Sequence, residues 1–255
     1  MGRTVIRISS DSNVGRQRTD NEDFSEVVDA ADLPEKIYAI FVVADGMGGH
    51  AAGEVASQIT VGSVITTLIA PENQLGTIPE PGLLIFLDKA LVRANQDVIE
   101  EGARSPERRG MGTTCTLGVV RGGSLYVAHI GDSRGYLLRG GVLDRITNDH
   151  SVVEEEVRRG LLTPEQAWDD PRRNLVSRAI GLGDAPEIDT RSVPLQPGDR
   201  IMFCSDGLNS MIRDPEIRSI LSQGDAGTTV QALIDAANDA GGSDNITVVV
   251  ADYYR

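Results

Sequence analysis

The sequence predicts an α+β fold in which two mainly antiparallel β-sheets pack together and helices cover their outer faces. Short apolar runs typical of strands occur in several groups, and two long helical segments, 51–70 and 83–103, separate the first group from the second. A parallel doubly wound sheet would instead alternate strand and helix along the whole chain. We predict one domain over 1–255, with a small flap inserted at about 151–185.

The first elements follow from residue periodicity. The segment TVIRISSDSNVG alternates apolar and polar residues and predicts a half-buried strand. FSEVV and KIYAIFVVADG predict two more strands, separated by a turn at Leu33-Pro34. In the second helical segment, apolar residues recur at spacings of three and four, which predicts a face that packs on the core: Leu84, Leu87, Leu91 and Ala94.

The middle of the chain consists of short strands. TTCTLGVV, SLYVAHIG, RGYLLRG and VLDRIT predict an antiparallel meander with hairpin turns at Gly122-Gly123 and Gly140-Gly141. The charged flap contains three segments that we predict to be short helices: VVEEEVRRG, TPEQAWDD and RRNLVSRAIG. Strands then resume in EIDTRSVPL and DRIMFCSDG, and a helix-rich stretch from Leu208 to Ala240 precedes a last strand, NITVVVADYY.

The composition excludes some partners. Asp and Glu outnumber Lys and Arg by 38 to 24, and the formal net charge of −14 argues against nucleic acid or an anionic membrane as a partner. Cys115 and Cys204 lie in apolar runs and are expected to be reduced, buried thiols. The sequence has no signal peptide and no continuous apolar stretch of about 18 residues. We therefore expect a cytoplasmic protein.

Four aspartates recur at the ends of predicted strands. Asp45, Asp132 and Asp206 follow apolar runs, Asp244 precedes one, and each lies in a glycine-containing turn. Carboxylates gathered at one edge would repel each other, and a hard divalent cation relieves that repulsion. A single Asp-Gly at a strand end is usually only a turn. Four of them together predict a site for Mg²⁺ or Mn²⁺, in which two ions can share a carboxylate and activate water.

Seven segments, in order, resemble the metal-dependent Ser/Thr protein phosphatases of the PP2C (PPM) family in their bacterial form. They are VGRQRTDNEDF, VVADGMGGHAAGEVAS, RGMGTTCTLGVV, YVAHIGDSRGYLLR, ITNDHS, IMFCSDGLNSMI and GGSDNITVVV, and they span residues 14 to 250. The resemblance implies a four-layer α-β-β-α sandwich with a flap beside the metal cleft. It also implies two Mn²⁺ or Mg²⁺ ions per site.

The resemblance assigns metal ligands by position. Asp45 would bridge the two ions, and the backbone carbonyl of Gly46 would bind one of them. Asp206 and Asp244 would complete the protein ligands of the other ion. Glu22 would hold the second ion through water.

Two further roles come from the resemblance. Asp132 would help to hold a third, weaker ion together with Asp206. Arg18 would clamp the substrate phosphate, which a planar guanidinium suits because it donates to two phosphate oxygens at once. From the residues alone, Arg18 could equally be a surface arginine paired with Asp20 or Glu22.

The general acid is not assigned. Animal relatives carry a His after the Asp-Gly, where this chain and its bacterial relatives carry Met47. His50 is a candidate for the acid or for a supporting role, and a metal-bound water is the alternative. We expect His129 to be a core residue and His150, of NDHS, to be structural, with Asp149 or Ser151 capping the next helix.

The resemblance implies an enzyme that hydrolyses phosphoserine and phosphothreonine in proteins by attack of a water held between two ions. Its partners would be phosphorylated proteins, including a Ser/Thr kinase that it opposes, and we expect a monomer. Two alternatives stay open: a non-catalytic phosphoprotein-binding module on the same fold, and a phosphatase for small metabolites.

Overall fold

The structure is a computed structural model that describes residues 5–48 and 51–254. Its strands are β1 Val5–Asn13, β2 Asp23–Asp29, β3 Ile37–Met47, β4 Gly112–Thr113, β5 Cys115–Arg121, β6 Ser124–Ile130, β7 Arg134–Arg139, β8 Val142–Arg145, β9 Asp189–Pro194, β10 Arg200–Cys204 and β11 Ile246–Tyr254. Its α-helices are α1 Ala51–Ile69, α2 Glu80–Arg104, α3 Val152–Arg158, α4 Pro164–Asp169, α5 Asp206–Asn209, α6 Asp214–Leu221 and α7 Ala226–Asp239.

The strands form two antiparallel sheets. Sheet I has the order β1-β11-β10-β7-β8, and sheet II has the order β2-β3-β5-β6-β9, with β4 paired to the end of β3. Helices α1 and α2 pack on sheet II, while α7 packs on sheet I against β1 and β11. The predicted four-layer α-β-β-α sandwich is therefore confirmed.

Three hydrophobic clusters hold the layers together, and β3 shows how one strand serves two of them. Successive residues of β3 face opposite sides, and all six residues from Ala39 to Ala44 are buried. One set packs under α1 and α2: Ile40, Val42 and Ala44. The other set faces sheet I: Ala39, Phe41 and Val43. Phe41 meets Phe203 of sheet I edge to face, with ring centroids 4.8 Å apart.

Two predicted details are wrong. The strands from 112 to 145 are not one meander, because β5 and β6 belong to sheet II whereas β7 and β8 belong to sheet I. The chain crosses between sheets at Gly131, whose φ of +112° favours glycine. In the flap, RRNLVSRAIG is not helical, because its backbone bridges Val176 to Ser151 and Ile180 to Thr113.

Helix α1 is apolar enough to need an explanation. By length and composition alone, Ala52–Ile69 could cross a membrane, with a mean hydropathy of 1.2. Half of this window is buried inside the fold, where α1 packs on β3 and α2. Packing in the layer outside sheet II accounts for its apolar side chains.

Candidate active site

The candidate site lies at one end of the sandwich, where strands of both sheets terminate. Asp45 has the same orientation on β3 as Phe41 and Val43, so its side chain faces the space between the sheets. We predicted a turn at this residue, but β3 continues to Met47. The reason is that the short strand β4 pairs with it, with Gly46 opposite Thr113.

The backbone of Asp45 is fixed on both sides. Its N–H donates to the Thr114 hydroxyl oxygen at 2.9 Å. Its carbonyl oxygen accepts from the Thr114 N–H at 2.9 Å and from the Thr113 hydroxyl at 2.8 Å. Because these bonds hold the main chain, the carboxylate is presented to the cleft at a defined place.

Close backbone packing explains the glycines around Asp45. A Cβ on Gly46 would lie 2.2 Å from the carbonyl oxygen of Gly53, and a Cβ on Gly53 would lie 2.6 Å from Glu22 Oε2. The Gly46 N–H also donates to the Glu22 carbonyl oxygen at 3.2 Å. Side chains at these positions would push apart β3, helix α1 and the loop that carries Glu22.

The other three aspartates reach the same cleft from different elements. Asp206 begins α5 directly after β10, Asp244 lies just before β11, and Asp132 follows β6. The cleft has a volume of about 480 Å³, and it brings together all the described residues that the sequence predicts for the site: Arg18, Glu22, Asp45, Gly46, Asp132, Asp206 and Asp244.

Burial and mutual repulsion perturb these carboxyls. Burial, together with the nearby Asp23 and Asp206, raises the pKa of Asp45 well above its usual range. Burial and then Asp206 raise the pKa of Asp132 in the same way. Burial and Asp244 raise the pKa of Asp206 to about 6. Each shift means that the folded protein disfavours the negative charge unless a cation joins it.

Among the described residues that line the cleft, Arg18 is the one with a basic side chain. Its Nη2 donates to Asp244 Oδ2 at 2.8 Å, and its side chain is half exposed. The ion pair with Asp244, together with Glu22 and Asp45, raises the pKa of Arg18. The contact with Asp244 differs from the surface pairing with Asp20 or Glu22 that the sequence left open, and it places the guanidinium at the rim of the cleft.

The donor set fits hard divalent cations. All the candidate side-chain ligands are carboxylates, which Mg²⁺ and Mn²⁺ prefer, and the raised pKa values show a local deficit of positive charge. Within the described residues, no three His, Cys, Asp or Glu side chains form a closed ligand set in this conformation.

A family model described as protein phosphatase 2C matches residues 16–245 of the chain. The chain belongs to the protein phosphatase 2C family. The predicted family is thereby confirmed, since the match contains five of the seven motifs completely, lacks only the first two residues of the first motif, and ends half-way through the last.

Known relatives extend over nearly the whole chain. The serine/threonine phosphatase stp of Listeria monocytogenes is 37% identical over 239 residues, which covers 93% of this chain and 92% of the relative. The solved structure of the S. agalactiae serine/threonine phosphatase superposes with a TM-score of 0.88, at 32% identity. The match covers 97% of this chain and 99% of that one.

A third relative was solved with metal. The catalytic domain of the serine/threonine protein phosphatase PstP, in complex with two manganese ions, superposes with a TM-score of 0.82. It is 37% identical and covers 99% of this chain and 100% of that one.

Sequence reasoning missed Asp23, the residue that faces Asp45 across the β2–β3 pair of this phosphatase 2C fold. Asp23 is buried, its Oδ2 accepts from the Ser205 hydroxyl at 2.6 Å, and its Oδ1 has no partner among the described residues. Burial raises its pKa to about 7, although the bonds from Ser205 and Thr247 oppose the shift. Alternation in β2 offered a signal, because Asp23 lies on the strand face opposite to Phe24.

Asn245 was also missed, and it organises the loop that carries Arg18 and Glu22. Its Oδ1 accepts from the Glu22 N–H at 2.8 Å. Its Nδ2 donates to the carbonyl oxygens of Val14 at 3.0 Å and Asp20 at 2.9 Å. One buried amide thus ties this loop to the start of β11, beside Asp244. The motif GGSDN contained Asn245, but nothing in the sequence identified its distant backbone partners.

The predictions for the three histidines have different outcomes. His50 lies outside the described residues. His129 is buried, with ring nitrogens 3.0 Å from the Thr116 hydroxyl and 3.1 Å from the Asn148 carbonyl, as expected for a core residue. His150 is buried and accepts from the Gly131 N–H at 3.1 Å. Ser151, as predicted, caps α3.

Proposed function

We propose that this chain is a metal-dependent protein phosphatase that hydrolyses phosphoserine and phosphothreonine with two Mn²⁺ or Mg²⁺ ions. The observation that carries the proposal is the convergence of Asp45, Asp206 and Asp244 with Arg18 in one cleft, where buried carboxyls have raised pKa values. The relatives support it, because they are serine/threonine phosphatases and one holds two manganese ions.

The site residues would have different roles in holding the two metal ions. Asp45 would hold both ions, Gly46 would offer its carbonyl, and Asp206 and Asp244 would hold one ion while Glu22 serves the other. When bound, two divalent ions supply positive charge for the phosphate dianion and lower the pKa of a water for direct attack on phosphorus.

The chain's own residues position the substrate. Arg18 lies at the rim and donates to Asp244, so an arriving phosphate would compete with that carboxylate for the guanidinium. Thr113 and Thr114 keep the Asp45 main chain fixed during this exchange. Cys115 and Cys204 are buried, with thiol pKa values raised by burial, so neither is a nucleophile.

Several finer expectations are part of the proposal. Asp132 would hold a third, weaker ion with Asp206, since both side chains line the same cleft. The protein would act in the cytoplasm as a monomer and oppose a Ser/Thr kinase. Residues 151–185 would form a flap that screens substrates, and Asn174, Leu175 and Val176 of this segment line the cleft.

The decisive experiment compares three substrates with and without Mn²⁺: p-nitrophenyl phosphate, phosphothreonine peptides and sugar phosphates. We expect Mn²⁺-dependent turnover, with phosphopeptides preferred over sugar phosphates. A preference for sugar phosphates would favour the metabolite phosphatase. Absence of turnover in a folded protein that still binds phosphopeptide would favour the non-catalytic module.

A further inference from the structure

A second groove of about 620 Å³ adjoins the metal cleft. It lies between the flap helices α3 and α4 and the segment from Asp206 to Pro215. Asp132, Asn174 and Asp206 line both the groove and the metal cleft, so the two spaces are neighbours with a common wall. We call the space under the flap the flap groove.

Two of the four arginines in the flap groove are neutralised within the protein. Arg134 donates through Nε and Nη2 to both oxygens of Asp149, at 3.0 and 2.6 Å. Arg145 pairs with Glu154 and lies 3.6 Å from Asp149. Because these two guanidinium groups are paired with carboxylates, they offer little positive charge to a ligand in the groove.

The other two arginines converge on Trp168. The guanidinium carbon of Arg213 lies 4.5 Å from the centre of the indole ring, and that of Arg173 lies 5.8 Å from it. Arg173 comes from the flap, whereas Arg213 precedes α6 in the body of the protein. Among the described residues, neither forms an ion pair. Arg173 Nη1 donates to the Trp168 carbonyl oxygen at 3.2 Å.

The neighbouring Arg172 shows that this lack of carboxylates is a local feature. Arg172 donates to both Asp170 and Glu156, with closest distances of 2.8 Å. Arg172 is exposed. Arg173 is instead half-buried and lines the groove, although acidic residues outnumber basic ones in the chain as a whole.

We propose that the flap groove is a specificity subsite that binds an anionic side chain of the substrate, a carboxylate or a second phosphoryl group, near the phosphorylated residue. This inference rests on the proposed function, because the groove shares a wall with the cleft that would hold the scissile phosphate. Both guanidinium groups lie beside the Trp168 ring, and neither is paired with a carboxylate of the described residues, so each can donate to an anion that enters the groove. Trp168 supplies a flat surface for the peptide and keeps Arg213 in place.

Besides Asp149 and Glu154, which pair with arginines, the described lining of the groove carries four acidic residues that could attract a basic occupant. Asp132 and Asp206 lie on the wall shared with the metal cleft and belong to the proposed metal site, which leaves Glu165 and Asp214. Glu165 is exposed on α4, and Asp214 accepts from the Tyr136 hydroxyl at 3.0 Å. If these carboxylates dominated, the groove would select a basic side chain. The proposal favours the anion because Asp214 is engaged by Tyr136 and lies 3.8 Å from Arg134.

Trp168 is the one tryptophan of the chain, so intrinsic fluorescence reports on the groove without catalysis. The protein would be kept in EDTA and titrated with unphosphorylated peptides that contain Glu, Gln or Lys at otherwise identical positions, and with a phosphothreonine peptide. We expect a saturable change with the Glu and phosphothreonine peptides, and about fivefold weaker binding of the Gln peptide. Equal responses to Glu and Gln, or tighter binding of Lys, would overturn the proposal.

Kinetics with Mn²⁺ provide the second test. A glutamate is moved through each position on either side of the phosphothreonine, and kcat/KM is compared with the all-neutral peptide. We expect one or two positions at which Glu raises kcat/KM about fivefold. Arg213→Gln and Arg173→Gln should each reduce this ratio, and Arg213→Lys should retain part of it. A ratio that survives in both Gln variants contradicts the subsite.

The matched control is Arg218→Gln, which removes an exposed arginine of α6 that does not line the groove. This variant should keep the full preference for glutamate. Turnover of p-nitrophenyl phosphate, which has no flanking residues, should be unchanged in all these variants and shows that they are folded. If the unaltered protein fails to turn over p-nitrophenyl phosphate, the proposed function is wrong, while the fluorescence titration still decides whether the groove binds anions.

Discussion

Two groups of buried or half-buried aspartates differ in where their counter-charge comes from. Asp149 is buried beside Arg134 and Arg145. Burial alone would raise its pKa, but these guanidinium groups lower it below the usual value. Asp45 and Asp132 lie in the metal cleft, and their pKa values are raised by burial and by other carboxyls.

The comparison separates structural carboxylates from carboxylates that serve a ligand. The fold supplies its own cations at Asp149, at Asp199 through Arg139 (2.6 Å), and at Asp252 through Arg200 (2.5 Å). In the cleft, only part of the charge is balanced, through Arg18. Buried charges without partners are costly, so their persistence here is accounted for by a cation that arrives from solution.

The largest expected effect is the loss of turnover in Asp45→Asn. This change keeps the shape and removes the shared carboxylate, and we expect kcat/KM for p-nitrophenyl phosphate to fall by about 10³-fold or more. In EDTA the same variant should be more stable. A raised carboxyl pKa means that the folded state keeps a proton that the unfolded state loses, so stability falls as pH rises above about 4.

Asp32→Asn is the matched control, because Asp32 is exposed and far from the cleft in the fold. It should change neither turnover nor the melting temperature in EDTA. If Asp45→Asn melts at a lower temperature than the unaltered protein at pH 8 in EDTA, the contrast between Asp45 and the charge-paired Asp149 is wrong. Calorimetry with Mn²⁺ would separately reveal whether Asp45 is a ligand, since retained affinity contradicts that role.

The opposite result is expected for Asp149→Asn. Removing this carboxylate leaves the Arg134 guanidinium buried with a neutral partner, and the free energy of unfolding should fall by about 3 kcal/mol. Urea denaturation at pH 7.5 measures the change. Turnover per folded molecule should change far less than in Asp45→Asn. A stability loss below the experimental error would mean that Asp149 is not held by charge pairing.

The sequence was sufficient where chemistry is local. Helices α1 and α2 were predicted to within a few residues, because apolar residues recur with helical spacing. The aspartates at the strand ends were found because each lies within two residues of a glycine at the end of an apolar run, and the family motifs connected them. The carboxylates Asp45, Asp132, Asp206 and Asp244 do line one cleft, as predicted. Their individual roles as metal ligands stay predictions.

The features that escaped prediction depend on long-range partners. Asn245 bonds to Val14, Asp20 and Glu22, which are more than 200 residues away in the chain. The passage from sheet II to sheet I after β6 left no periodic signal, because both flanking strands are apolar and short. RRNLVSRAIG has helical composition, yet it folds as turns and bends, with single bridges from Val176 to Ser151 and from Ile180 to Thr113.

The buried His129 predicts how the stability of the protein changes with pH. Burial and then the neighbouring His150 lower the pKa of His129 to about 4. The unfolded state therefore binds a proton between pH 6.5 and about 4 that the folded state does not, so this histidine makes stability fall as pH falls through that window. From pH 7.5 to pH 5, its share is about 2 kcal/mol of the free energy of unfolding.

The measurement compares the unaltered protein with His129→Gln by urea denaturation at both pH values. Glutamine can bond to Thr116 and Asn148 but does not titrate. The stability difference between the two proteins should therefore shift by about 2 kcal/mol in favour of the variant at pH 5. An unchanged difference would mean that His129 is not buried in its neutral form.

The smallest effect is expected for Arg18→Ala, because the half-exposed guanidinium balances only part of the cleft's charge. We expect KM for p-nitrophenyl phosphate to rise about tenfold while kcat changes little, because the clamp would act on the bound and reacting phosphate alike. Arg16→Ala is the control, since Arg16 lies two residues away and pairs with Asp239 at 3.3 Å. A fall in kcat at unchanged KM would instead place Arg18 in the chemical step. An effect on Mn²⁺ affinity alone would mean that its contact with Asp244, rather than with phosphate, is what the cleft requires.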